Sequence, residues 1–386
     1  MRCIQQLSLK LEGVTALIGE NGSGKSTIIE ACEILKRAAD RGFGNFFHSI
    51  HGGWAGMGSD RVALGADIES RGQRMRYDFA IRRSNSAIVL ESESLSVSKD
   101  GENYREIVKK SGNRVMCVGK NDNEWQGLTH WSEAEPNICY IHEQSGLEEV
   151  RQAVDALRHI ECHVPLDISP SWVSRTVNRG SLLRDSVLIE PTEGLNLLGR
   201  NLANVYHALK NESGTAEWGE TLDWIRLGLG DDIEDVGFGV DPAGGRIALR
   251  VKYTHLVDPV PAAYLSDGTL AYLAIVAMAR AGRDRSLLAF DEPDLHLHPH
   301  LLARVLGFFE TLSRSHPVIL ASHSDRLLDQ LDDPVQSAVL CDLDEEHHTR
   351  LLRPNRQAYE KWIERYRGLG DIRAEGHEES VMTEES

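Results

Sequence analysis

The residues with the clearest chemistry stand in "GENGSGKST", 19–27. Gly19, Gly22 and Gly24 allow a tight curl whose backbone amides point inward, as phosphate oxygens require. Glu20, Asn21 and Ser23 complete the curl. Lys25 can reach β and γ phosphates, Ser26 can ligate Mg²⁺ through its hydroxyl, and Thr27 continues into the next element. In "LLAFDEPDLHLHPH", Asp291 and Glu292 follow directly on apolar residues. At the carboxyl end of a buried strand, Asp291 can hold Mg²⁺ through its water shell and Glu292 can polarise an attacking water. His323 closes "VILASH", where it can hydrogen-bond a γ phosphate. A fourth group opens the apolar segment "YLSDGTLAYLAIVAMAR", 264–280: Ser266, Asp267 and Gly268, followed by Thr269.

Two readings are open for that fourth group. Ser or Asp before an apolar helix is a common cap. The same bare amides also make an anion-binding helix start. One nucleotide has one γ phosphate, so two phosphate-binding ends on one chain imply two copies paired head to tail, each closing the other's nucleotide. Without a triphosphate, Asp267 is then expected to face the partner's acidic site and weaken association. His296, His298 and His300 alternate, but Pro299 begins a helix, so His298-Pro299 reads as a helix start and zinc is not expected.

These groups need elements to carry them. "VTALIG" (14–19) is a short continuous apolar run, suited to a strand buried on both faces, and "STIIEACEILKRAAD" has helical spacing. Residues 2–11 alternate like an edge strand. Residues 40–60, rich in Gly and aromatics, read as an ordered loop without a regular element. From 61 to about 120, short β segments separated by "SRGQ" and "KDGEN" predict an antiparallel meander. Amphipathic stretches between 151 and 235 predict a helical insertion with no long coiled-coil arm. After "GGRIALRVKYTH", the chain alternates strand and helix to about residue 343, which implies a mostly parallel sheet. "YEKWIERYRGLG" places Tyr359, Trp362, Ile363 and Tyr366 on one helical face. The acidic "EGHEESVMTEES" reads as a solvated, frayed end.

The bulk composition narrows the classes. Over 386 residues, 41% are apolar and 26% charged, ordinary for a globular protein with a large core. No apolar run is long enough to span a membrane and no signal pattern opens the chain, so the cytoplasm is expected. Six scattered cysteines without C-x-x-C read as reduced thiols. A net charge of −17 argues against coating nucleic acid non-specifically, while leaving a local basic groove possible.

The order phosphate loop, long insertion, "LSDGT", "LLAFDEP", "ASHS" resembles the ABC-type ATPase heads of the SMC, RecF and OLD-like families. The resemblance implies an α/β P-loop NTPase: an ABC-type ATPase head with a mostly parallel core sheet, an antiparallel β subdomain and a helical insertion. The head would comprise residues 1–150 and 236–386, and the insertion 151–235. Gly19–Thr27 would form Walker A, Leu287–Glu292 Walker B and Leu265–Thr269 the signature that binds the trans γ phosphate. Asp294 would lie in the D-loop, and His323 would be the switch histidine. "DEPDLHLHP", "LSDGT" and "WIERYRGLGDIR" look most like compact stand-alone ATPases of this group, many of them in prokaryotic defence or toxin-like operons with a nuclease or other effector. ATP and Mg²⁺ are the implied ligands. A homodimer or higher homo-oligomer and an effector from the same operon are the implied partners, with DNA possible and no membrane. The missing arm speaks against chromosome tethering, and residues 324–386 are too few for a following nuclease domain. Gln73, Gln144 and His51 are candidates for the Q-loop position. The rival readings are a non-hydrolysing ATP-sensing scaffold, a repair ATPase of the RecF type and a transporter ATPase, the last fitting the meander and insertion poorly.

Overall fold

Short apolar runs build the centre of the molecule because strands covered on both faces need no polar alternation. The computed structural model describes residues 2–49, 54, 57–85, 87–119, 124–168, 183–212, 214–241, 243–282 and 284–384. The strands are β1 (Val14–Ile18), β2 (Arg61–Ser70), β3 (Gln73–Ser84), β4 (Ala87–Ser98), β5 (Arg105–Ser111), β6 (Arg114–Val118), β7 (Trp125–Gly127), β8 (Ile160–His163), β9 (Val187–Leu188), β10 (Ile233–Asp241), β11 (Arg246–Tyr253), β12 (Val260–Pro261), β13 (Leu287–Asp291), β14 (Val318–Ser322), β15 (Ala338–Leu343), β16 (Thr349–Pro354) and β17 (Met382–Glu384). The helices are α1 (Lys25–Ala38), α2 (Phe43–Ser49), α3 (Ile138–Ser145), α4 (Glu148–Arg158), α5 (Leu202–Asn211), α6 (Thr215–Leu229), α7 (Asp267–Arg280), α8 (Pro299–Leu312), α9 (Asp325–Leu328), α10 (Pro334–Ser337), α11 (Arg356–Trp362) and α12 (Leu369–Ala374).

The main sheet runs β17-β16-β15-β1-β14-β13-β8. β15, β1, β14, β13 and β8 are parallel, and β16 and β17 add an antiparallel edge. Its two faces feed two cores. Ala16, Ile18, Leu288, Phe290 and Leu320 pack with α7 and α8. Leu17, Ala289, Ile319, Ala321 and Val339 pack with α1, α4 and the meander. This two-residue alternation of cores within uniformly apolar runs is the strand period expressed as two buried faces. α7 is buried almost all round, which explains its lack of a polar face. The meander β2–β7 forms a separate antiparallel sheet, as its turn spacing predicts.

Four expectations change. Residues 2–11 form no strand, because both edges of β1 are taken by β14 and β15. The alternation instead reports Leu7, Leu9 and Leu11 packing one side onto the core that holds α1. Residues 40–60 contain α2: Phe43 and Phe47, one turn apart, are both buried and stack at 5.9 Å, and this pairing outweighs the glycines. The head does not stop at residue 150, since α4 continues to Arg158 and β8 pairs with β13 as a strand of the main sheet. The acidic end is docked: Val381 is buried and Met382–Glu384 pair with β16.

One buried carboxylate ties the meander to α3. Glu93 on β4 accepts hydrogen bonds from Tyr77 Oη and from the amides of Asn137 and Ile138 at the start of α3. Burial pushes its carboxyl up from 4.5 to about 7, against those hydrogen bonds. A raised carboxyl favours the protonated form in the folded chain, so this stabilisation is complete below pH 4.5 and is lost as pH rises through about 7. The denaturation midpoint is therefore expected to fall between pH 5 and pH 8 by a smaller amount in Glu93→Gln than in the parent, as urea titrations at the two pH values will measure.

Candidate functional site

The phosphate loop leaves β1 at a crowded point. A Cβ on Gly19 would lie 2.2 Å from Cys341 O, and one on Gly24 would lie 2.5 Å from Thr349 Oγ1, with φ already at +100°. Both contacts require glycine, so the loop is fixed by its neighbours β15 and β16 as well as by its own bonds. Lys25, at the first turn of α1, folds over the loop and donates to Gly19 O and Glu20 O, each at 2.8 Å. Burial pulls its pKa down, opposed by the thiol of Cys341 and the carboxylates of Glu292 and Asp291. The Ser23 hydroxyl is buried without a hydrogen-bond partner.

Register brings the other groups to the same edge. Ile18 pairs with Ser322, and Asp291 with Ala321, so β1, β14 and β13 end side by side. Asp291 is on the α1 side, where the Ser26 hydroxyl favours its charged form. Burial raises its pKa, and its Oδ1 is buried with no partner. An orphaned carboxylate oxygen beside a hydroxyl is costly unless a cation takes it, and these hard oxygens suit Mg²⁺, which keeps waters and phosphate as its remaining ligands. Glu292 adopts φ +53°, a left-handed conformation uncommon for its type, and its amide donates to Ala321 O at 2.7 Å. This turn aims Glu292 Oε2 at His323 Nδ1, 2.7 Å away. The bond and charge of Glu292 raise the His323 pKa. Asp294 accepts from Ser322 Oγ at 2.7 Å, tying the turn after β13 to the end of β14. A cleft of about 410 Å³ lies here, lined by Gly19, Glu20, Asn21, His323, Asp325 and Arg373.

The Ser266 turn is elsewhere. Ser266 caps α7, its Oγ accepting from Thr269 N at 3.1 Å, and is exposed. Gly268 packs against His296 O, 3.1 Å from its ideal Cβ position. Ser266, Asp267 and Gly268 are not among the residues that line the cleft. Asp267 is ion-paired within its own chain, while its side chain stays 43% exposed. Arg184, only 4% exposed in its side chain, donates to Asp267 and also to Leu265 O (2.7 Å), Ala262 O (3.1 Å) and Ile168 O (3.2 Å). Sequence reasoning missed Arg184 because the contact spans 83 positions. The only local signal for it is an acidic residue in a turn that would otherwise repel phosphate.

Other sequence candidates fall outside the edge. Gln144 spends its amide on Thr129, His130 and Tyr140, and Gln73 pairs with Ser70 at a hairpin of the meander. His51 lies outside the described residues. His298 caps α8 with Pro299 in its first turn, the helix start its sequence implies.

Two measurements check this geometry. Glu292→Gln is expected to bring the His323 pKa back toward 6.5, read from the imidazole resonances in an NMR pH titration. Arg184→Met is expected to lower unfolding free energy by about 2 kcal/mol, since several buried carbonyls and Asp267 lose their donor; equilibrium denaturation will measure it.

A family profile described as "AAA domain, putative AbiEii toxin, Type IV TA system" matches residues 14–118 and 249–329, which include the phosphate loop, the Ser266 turn, Asp291, Glu292 and His323. A comparison with curated proteins gives no match. Similar solved structures include an SMC head bound to the C-winged helix domain of ScpA, at 13% identity and TM-score 0.42, covering 88% of this chain and 89% of that one. A Pyrococcus furiosus SMC head with an extended coiled coil, bound to the C-terminal domain of ScpA, has 13% identity, TM-score 0.40 and coverage of 91% and 92%. The SMC head domain from Thermotoga maritima has 12% identity, TM-score 0.38 and coverage of 92% and 95%. Residues 14–118 and 249–329 thus match an AAA-type family domain, and the motifs sit in this order on a mixed α/β, mostly parallel sheet consistent with a P-loop NTPase fold.

Proposed function

We propose that the protein is an ATP-hydrolysing switch that closes as a homodimer over shared nucleotides and governs an effector protein, nuclease or toxin-like, in a defence or toxin–antitoxin setting. One observation carries the reading: Glu292 and His323 meet at 2.7 Å on the strand edge that holds Lys25 and Asp291, while the Ser266 turn is exposed outside that cleft. In this reading Gly19–Thr27 hold ATP, the phosphates replacing Gly19 O and Glu20 O as partners of Lys25. Ser26 and Asp291 hold Mg²⁺, which neutralises phosphate charge. His323 exchanges Glu292 for the γ phosphate, freeing the carboxylate to accept a proton from water. The water oxygen bonds to the γ phosphorus as the bond to the bridging oxygen breaks, releasing ADP and phosphate.

The partner's Ser266 and Gly268 amides would complete the cage. Tyr264, 70% exposed beside the turn, supplies apolar surface for the contact. Arg184 supports the reading by neutralising Asp267, which would otherwise oppose a partner's phosphate. The defence or toxin–antitoxin setting rests on the description of the matched profile. Among the described residues no helix is long and apolar enough to cross a membrane.

Mass measurement with and without Mg-ATP tests the switch. Glu292→Gln is expected to accumulate as an ATP-bound dimer with hydrolysis reduced by about 100-fold or more, and Ser266→Arg to bind nucleotide but stay monomeric. A chain that remains monomeric with ATP in the Glu292→Gln background sinks the dimer. Full biological activity of Glu292→Gln would show that binding alone, as in a scaffold, does the work.

A further inference from the structure

The cleft beside the phosphate loop has one wall that no motif accounts for. Arg373 on α12 lies there with Gly19, Glu20, Asn21, His323 and Asp325. Its side chain is 12% exposed and its Nη1 donates to Asp325, while its Nε is buried without a hydrogen-bond partner. A guanidinium carries five donors in a planar fork, and burying one with donors unspent is costly. It also stands close enough to Lys25 for the two positive charges to oppose each other. Lys25 and the largely buried Arg373 thus place two cations at one loop of inward-facing amides, an arrangement that suits phosphate oxygens.

Arg373 is placed there firmly. Leu369 and Ile372 of α12 are fully buried. Gly370 N donates to Asp329 Oδ1 at 2.8 Å, and a Cβ on Gly370 would lie 2.2 Å from Asp325 O. α12 therefore lies directly on α9, the helix that begins two residues after His323. Asp325, the partner of Arg373, is the first residue of α9, and its side chain is 34% exposed. This leaves it free to turn to water when the guanidinium finds another anion.

We propose that Arg373 is a phosphate-binding residue of its own chain's nucleotide site, exchanging Asp325 for oxygens of the terminal phosphate of a bound nucleoside triphosphate. The assignment to the terminal phosphate follows from its neighbours: His323 and the first residues of the loop share the cleft with it. The C-terminal helix then reads whether the third phosphate is present. This rests on the phosphate-loop reading above.

Calorimetric titration of the full chain with Mg²⁺ and either a non-hydrolysable ATP analogue or ADP tests it. Arg373→Gln is expected to weaken the triphosphate analogue by about tenfold or more and ADP by less than about threefold, because one charge-assisted contact is lost from one ligand only. Asp325→Asn is expected to tighten the analogue. Unchanged affinities in a folded Arg373→Gln chain overturn the proposal, and so do equal losses for both ligands, which would mark a purely structural pair. Should Arg373→Gln fail to fold, Arg373→Lys keeps the charge beside Asp325 but loses the fork, and the same selective loss for the analogue is expected. Lys25→Ala separates the two readings: if that variant binds both ligands as the parent does, the phosphate-loop assignment has failed whatever Arg373 does.

Discussion

Everything at the site depends on three parallel strands ending in register. Backbone ladders pair Ile18 with Ser322 and Asp291 with Ala321, so the residues that follow each strand emerge at one edge. Parallel ladders cannot slip by one residue without moving every core side chain to the other face, and here both faces are buried. The register is thus enforced by two hydrophobic cores at once. The loop after β1, the turn after β13 and the end of β14 inherit their mutual distances from that constraint. The Ser322–Asp294 hydrogen bond and the Glu292 amide bond to Ala321 O then fix the turns to one another.

Charge is handled at this edge by local pairing. Lys25 turns back on loop carbonyls, Glu292 meets His323, Arg373 meets Asp325, and Arg184 meets Asp267 at the separate Ser266 turn. Each pair lessens the cost of holding an ionised group in a partly dry setting, since an isolated buried charge is far more expensive than a paired one. Asp291 differs. Burial raises its pKa, and one oxygen has no partner, which marks the point of greatest electrostatic demand for a cation. In the proposed cycle Lys25, His323 and Arg373 exchange these pairings for phosphate oxygens, and such exchange is how ligand binding is converted into a change of contacts.

Much of the fold is legible in the chain because its signals are local. The apolar runs 14–18, 287–291 and 318–322 are buried strands, and the turn signals between 61 and 118 do separate antiparallel strands. Where the reading failed, the deciding contact was distant. Residues 2–11 carry strand alternation, but both edges of the neighbouring β1 are taken by β14 and β15. Phe43 and Phe47 form a helix because the meander, through Phe79, offers them a core at 5.9 Å from the Phe43 ring. Residues 160–163 fall within the stretch read as a helical insertion, yet they complete the sheet beside β13. The acidic end looks solvated, yet β16 offers a free edge that Met382–Glu384 take.

The sequence alone determined the groups that chemistry can use: the glycine curl with Lys25 and Ser26, the Asp291–Glu292 pair, His323 and the Ser266 helix start. Each is a short run of adjacent residues whose types carry the chemistry, so a linear reading reaches it. Only the tertiary structure decided which charges meet. Arg184 reaches Asp267 across 83 positions, and Arg373 reaches Asp325 across 48, and these pairings follow from packing of whole elements against the core. Electrostatic contact depends on distance in space, and distance in space is fixed by burial of apolar faces that carry no label for the charges they bring together.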